Sequence, residues 1–302
     1  MARKREKGFP PSPDQLPVGV VDNHTHLESI ADVLPDGVAD PGLLAHLEHG
    51  RAVGVDAVVQ IGCDLESARW SVQAAAEHPS ILAGVAIHPN EAVLHAGVRE
   101  VAPDGLEPDP APRHKLSLEV AIAEIADLAR ADRVRTVGET GLDYFRAGEA
   151  GRAAQREAFR AHIALAKELD LPLQIHDRDA HADVLAILAA DGPPARTVFH
   201  CFSGDAAMAR ECVARGYFLS FSGTVTFNKS EELRRAAAEA PAEQLLVETD
   251  APYLTPHPYR GRPNAPYLLP LTLATMASVR TEPLEVLCAT IRTTSEALYG
   301  PW

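Results

Sequence analysis

The chain has 302 residues, with 28 Lys and Arg against 42 Asp and Glu and a formal net charge of −14. So acidic a balance argues against a nucleic-acid coat, a histone-like protein or a membrane-surface binder. It leaves room for a local polyanion site, because charges further apart than about 8 Å are largely screened at physiological salt.

The length accommodates two ordinary domains or one large α/β barrel. Residues 1–17 carry Arg3, Lys4, Arg5 and Lys7 and then prolines, and read as a disordered lead-in to a domain over 18–302. No run of about 18 apolar residues exists, so no membrane span is expected. Cys63, Cys201, Cys212 and Cys288 are scattered without a CxxC, so neither a disulfide framework nor a zinc knuckle is expected, and a cytoplasmic location fits.

In chain order, short runs rich in Val, Ile and Leu predict strands at 19–23, 57–62, 82–87, 135–138, 173–175, 197–199, 217–221 and 245–247. Helical segments are predicted between them at 42–54, 65–77, 117–130, 152–169, 180–190, 206–214 and 230–240, with 268–279 and 284–298 closing the chain. About eight βα units without a composition break predict a single (β/α)8 TIM barrel. The runner-up is an open doubly wound sheet, which usually shows a glycine-rich turn after its first strand; here that turn reads NHTHLE. The Pro- and Asp-rich stretch 102–113 is expected to be an exposed loop on the active-site side.

Unusual polar residues fall at the carboxyl ends of these strands. His24 and His26 follow the first, Glu139 follows TVG, His176 follows LQI, His200 follows VF, and Asp250 follows LLVET. Each alone has an ordinary explanation, as a core histidine or a salt-bridge partner. Together they repeat one placement, at the rim where barrel enzymes assemble their sites. Four imidazoles and two carboxylates suit Zn, Mn, Ni or Fe, and exceed what one catalytic ion needs if it keeps a position for water. Two divalent ions bridged by a carboxylate would use the whole set. Glu139 is the natural bridge, and Asp250 completes the first ion or acts as general base.

Other residues stand near the rim. His88 in AIHPNEA either faces the substrate or stabilises the turn before Pro89, and Arg178, Lys229 and Arg262 are candidate phosphate contacts or solvated charges. Asn264 is a candidate helix cap, and Cys201 reads as a buried, inert thiol.

The motifs NHTHLE, AIHPNEA, VGETGLDY, QIHDRDA, VFHCFSG, SGTVTF, LLVETDAPYLTP and GRPNAP occur in an order that resembles the TatD family of metal-dependent deoxyribonucleases, among the amidohydrolase-like barrels. The resemblance covers about residues 20–298. It implies a (β/α)8 barrel with two divalent ions (Zn, Mn, Mg or Ni) held by His24, His26, Glu139, His176, His200 and Asp250 at the C-terminal rim. Two positions depart from the family pattern: Glu28 stands where Asp is common, and Asp177 where small or hydroxyl residues are frequent.

The expected function is metal-assisted hydrolysis of DNA phosphodiesters from a strand end, with single-stranded DNA as substrate, no membrane partner and a monomer as one possible state. Two rivals remain open. One is ester or amide hydrolysis on the same site, including removal of a D-amino acid from tRNA; the other is a non-catalytic scaffold.

Overall fold

Val20–Thr25 is buried along its whole length, as a strand covered on both faces must be. This is β1 of the computed structural model, which describes residues 6–302. It is followed by β2 (Val55–Gly62), β3 (Ile81–Val85), β4 (Val134–Asp143), β5 (Leu173–Arg178), β6 (Thr197–Phe199), β7 (Phe218–Phe221) and β8 (Leu245–Val247). All seven neighbouring pairs are parallel and lie in sequence order. The seam between β8 and β1 closes just beyond the ladder: Asp250 donates its N–H to the His24 carbonyl at 2.9 Å, and His26 donates to Ala251 at 2.7 Å. Below them the Asp22 carboxylate accepts from the Thr249 N–H at 2.8 Å. The barrel is therefore stitched shut by the backbone around its own candidate ligands.

The crossovers are α1 (Leu43–Ala52), α2 (Leu65–Glu77), α3 (Pro89–His95), α4 (Leu118–Leu128), α5 (Glu149–Glu168), α6 (His181–Asp191), α7 (Ala206–Ala214) and α8 (Glu231–Glu239), with α9 (Leu269–Arg280) and α10 (Leu284–Tyr299) at the end. Local chemistry starts several of them. Asp64 and Ser67 form a capping box on α2, and the Ser117 and Asp205 side chains cap α4 and α7. The eight strands and the nine expected helices are present, with ends shifted by a few residues. The helix α3 was not expected; it is only seven residues long, and the histidine that caps it reads as a site residue.

The strands bury aliphatics on two faces. Outward residues such as Val20, Ile81, Leu173 and Leu245 pack with the helices. Inward residues alternate with them, and Val21, Val59, Ile61, Leu82, Val198 and Leu246 fill the lower barrel with Leu298 and Tyr299 of α10.

Of the lead-in expected to be disordered, residues 1–5 lie outside the described residues. Residues 6–17 run along the barrel: Leu16 is buried and donates to the Val53 carbonyl at 2.9 Å. The carbonyls of Gly8 and Phe9 accept from Arg262 at 2.8 and 2.6 Å, which corrects the expectation of disorder for this part. Stretch 102–113 is mostly exposed, and Arg113 ties its end to the rim through Asp64, Glu66 and Glu91.

Candidate metal centre

Inward positions recur every second residue, so an inward side chain low in the barrel is followed two residues on by another nearer the rim. Val198 leads to His200, Gln174 to His176, and Leu246 through Glu248 to Asp250. At the top these side chains converge with His24, His26 and Glu139 at the floor of a cleft of about 980 Å³. The structure brings all six expected ligand residues together.

Glu139 sits at the centre. Its Oε2 lies 3.5 Å from His24 Nε2 and 3.9 Å from His26 Nε2. Its Oε1 lies 2.5 Å from His176 Nδ1 and 2.9 Å from His200 Nε2. One carboxylate oxygen therefore serves each histidine pair. Asp250 Oδ1 lies 3.5 Å from His26 Nε2 and 3.9 Å from His24 Nε2. Glu139 reaches this position because β4 passes very close to β5: a Cβ on Gly141 would lie 2.1 Å from the His176 carbonyl oxygen, and the backbone there has φ +140°.

The imidazoles are oriented from behind. His24 donates through Nδ1 to Gln174 Oε1 at 2.7 Å, His26 to the Ile61 carbonyl at 3.0 Å, and His200 to Glu248 Oε1 at 2.9 Å. All three turn Nε2 inward, and those of His24 and His26 face each other at 3.2 Å. With both outer nitrogens committed as donors, the inner ones present lone pairs to each other and to two carboxylates. Such a donor set calls for positive charge at its centre, which is what a divalent cation supplies. In protein groups alone the same demand appears as protonation. Burial opposes charge on His26, yet the Asp250 hydrogen bond and charge raise its pKa to about 10. Burial likewise pushes Glu139 up, but His200, His88 and His176 hold its carboxyl well below the usual range. Burial and then repulsion from His200 lower His24. The residues fit a metal centre.

Several supporting groups were not anticipated. Glu248 accepts from His200, from the Cys201 N–H at 2.8 Å and from Ser220 Oγ at 2.6 Å. Gln174 is itself held by Tyr299, whose hydroxyl accepts from Gln174 Nε2 at 3.0 Å and donates to Asn23 Oδ1 at 2.5 Å. Cys63 Sγ lies 3.4 Å from Glu139 Oε2, and Asp143 Oδ2 lies 3.4 Å from His176 Nε2. Strand periodicity marks most of these, since Gln174 and Glu248 each precede a ligand by two residues and Cys63 follows Ile61 by two. Asp250 and Cys201 adopt left-handed backbone (φ 52° and 40°), strain that the hydrogen bonds on their own N–H groups hold in place.

The remaining expected residues divide. His88 caps α3 by accepting the Asn90 N–H at Nδ1 (3.1 Å) and presents Nε2 to the cleft, 3.5 Å from Glu139 Oε1. Arg178 lines the cleft, its guanidinium 3.9 Å from the Phe145 ring centroid. Lys229 lies outside it, on a neighbouring depression that shares Cys201, Ser203 and Thr224. Arg262 lies away from the cleft, its guanidinium held by the backbone of the lead-in and by Glu6. Asn264 caps no helix; it donates to the Thr249 and Tyr253 carbonyls and braces the turn after β8. Cys201 is half-buried and lines the cleft rather than the core, and burial pushes its thiol up to about 12.

Comparison with known proteins agrees with this geometry. Residues 21–300 match the family described as TatD related DNase. A Mycobacterium tuberculosis protein named as an uncharacterized metal-dependent hydrolase TatD is 45% identical over 287 residues, 93% of this chain and 98% of its own. The 3'-5' ssDNA/RNA exonuclease TatD of Klebsiella pneumoniae is 34% identical over 258 residues, 83% and 89% of the two chains. The crystal structure of the Escherichia coli TatD homologue YJJV shares the fold, with a TM-score of 0.76 at 23% identity over 93% of this chain and 97% of its own. On these matches, the chain belongs to the TatD family and is a metal-dependent hydrolase.

Proposed function

We propose that this protein hydrolyses phosphodiester bonds in single-stranded DNA from a strand end, on a centre that holds two divalent cations. The observation that carries this reading is the division of Glu139, with one oxygen toward His24 and His26 and the other toward His176 and His200. His24, His26 and Asp250 would hold one ion, His176 and His200 the other, and Glu139 both. Zn, Mn, Mg or Ni held there would supply Lewis-acid charge and make hydroxide accessible near neutral pH. The activity named for the Klebsiella relative supports a single-stranded nucleic-acid substrate.

The chain's own groups supply the rest. As water attacks phosphorus and the P–O bond to the departing sugar oxygen breaks, Asp250 takes the water's proton. Its carboxylate is on the cleft side of the histidine pair, and its N–H bond to His24 fixes its backbone. His88 Nδ1 already accepts from Asn90, so a neutral His88 carries its proton on Nε2 and donates it into the cleft, toward the phosphate or the departing oxygen. Buried His24 and Glu139 exclude water from below.

Asp250→Asn keeps the shape and removes the base. Turnover of a labelled single strand by manganese-loaded protein is expected to fall by about 10² to 10⁴. Unchanged turnover would reject the role of Asp250. The same panel should include aminoacyl-tRNA, whose deacylation in place of strand cleavage would redirect the reading to ester hydrolysis.

A further inference from the structure

The cleft has walls ill suited to a polyanion. Asp64, Glu66 and Glu91 share Arg113. Glu28, Asp32, Asp143 and Asp177 also line it, and among the described residues none of these four pairs with an arginine or lysine; Asp143 and Asp177 pair only with histidines. Two cations line the cleft, and one of them, Arg146, is paired with Asp104 at 3.2 Å. That leaves Arg178, which lies flat over Phe145. A strand running along this surface would meet repulsion rather than a row of phosphate contacts.

The same walls carry flat rings beside the centre. Tyr253, three residues after Asp250, is 49% exposed, lines the cleft, and has its ring centroid 6.2 Å from that of His26. Its backbone is fixed at both ends, by its N–H to the Asp250 carbonyl at 2.8 Å and by Asn264 on its own carbonyl. Trp70 of α2 is a second, half-buried aromatic on the wall. Arg178, at the end of β5, stands across the barrel mouth from β8 and β1. Stacking on an aromatic ring needs no counter-charge and accepts every base.

Resting on the nuclease reading above, we infer that the cleft grips the last nucleotides of a single strand by their bases. Tyr253 is the principal stacking surface, and among the described residues Arg178 is the one side-chain cation lining the cleft that is left for a phosphate beyond the one held at the centre. Tyr253 is thus a specificity-determining residue rather than a member of the hydrolytic machinery. The grip selects unpaired ends, because a base inside a duplex hides its face.

The test compares two substrates on manganese-loaded protein: a labelled single-stranded oligonucleotide, and the same strand with abasic sites at the cleaved end. The wild type should prefer the intact end by about tenfold or more in kcat/KM, within the range measured for base stacking on aromatics. Tyr253→Ala should lose that preference while cleaving the abasic end as the wild type does, and Tyr253→Phe should keep it. The dependence of log(1/KM) on log salt should be no steeper than about −1.5, since each phosphate neutralised on a single strand adds about −0.7 and only the one at the centre and the one at Arg178 are engaged. Equal preference in Tyr253→Ala and wild type, or a steeper slope, overturns the stacking grip while the nuclease reading stands. Failure of the metal-loaded wild type to cleave either strand overturns the nuclease reading itself and takes this inference with it.

Discussion

The lower and upper layers of the barrel lumen share strands: on β6 one inward step separates Val198 from His200, and on β8 two separate Leu246 from Asp250. Below, Val21, Leu82, Val198 and Leu246 pack against Leu298 and Tyr299. Above, His24, His26, Glu139, His200 and Asp250 crowd donors and like charges together, two rim residues take left-handed backbone, and desolvation works against every ionised group. The lower layer stores stability and the upper one lowers it in return for a binding site, a division that places function where packing is already guaranteed from beneath.

That contrast can be broken from either side. The largest effect is expected from Glu139→Gln. Metal content should fall and turnover by about a thousandfold or more, since several kcal/mol of transition-state charge stabilisation would depend on the ions proposed to share it. The melting temperature of the metal-free protein should fall by less than in Leu82→Ala, since the loss is confined to the histidine contacts that hold the Glu139 charge; a larger drop, read by calorimetry beside metal analysis, would show that the upper layer is structural after all. Leu82→Ala does the opposite, costing about 2–5 kcal/mol in urea titrations while metal stoichiometry stays at the wild-type value. Glu248→Gln lies between the layers. Its loss should weaken metal affinity about 10- to 100-fold by loosening His200, and competition with a chelator would measure it.

The smallest expected effect is pH-dependent and belongs to neither layer. His162 of α5 is wholly buried and accepts the Ile87 N–H at 3.1 Å, and burial lowers its pKa from 6.5 to about 4. Between those values the unfolded chain binds more protons than the folded one, so this contribution is complete above about pH 6.5 and is lost as pH falls toward 4. At about 1.4 kcal/mol per unit, going from pH 7 to pH 5 should remove of order 2 kcal/mol. His162→Gln should flatten that slope in urea midpoints, and an unchanged slope would assign the acid sensitivity to other groups.

The candidate ligands of the upper layer were legible in the sequence because they stand just past the aliphatic runs of their strands, where a cluster of polar residues has to be accounted for. Helix α2 and strands β6 and β8 have the bounds their composition predicts, since capping and turn residues close them locally. What escaped depends on contacts distant in the chain. The extension of β4 to Asp143 rests on a close approach that only Gly141 permits. Arg262 reads as a phosphate contact until the lead-in is seen against it, about 250 residues away in sequence. Gln174 and Glu248 sit inside strands, where a polar residue is easily passed over, and the inward alternation that reveals them needs the barrel first.

Tyr299 is the last residue of α10, yet its hydroxyl steadies the amide that orients His24 near the opposite end of the polypeptide. A nascent chain that ends before α10 would already possess all six candidate ligand residues but not this prop. Ions captured before then would meet a provisional cage, and the candidate centre would take its final shape only once α10 has been made and has docked.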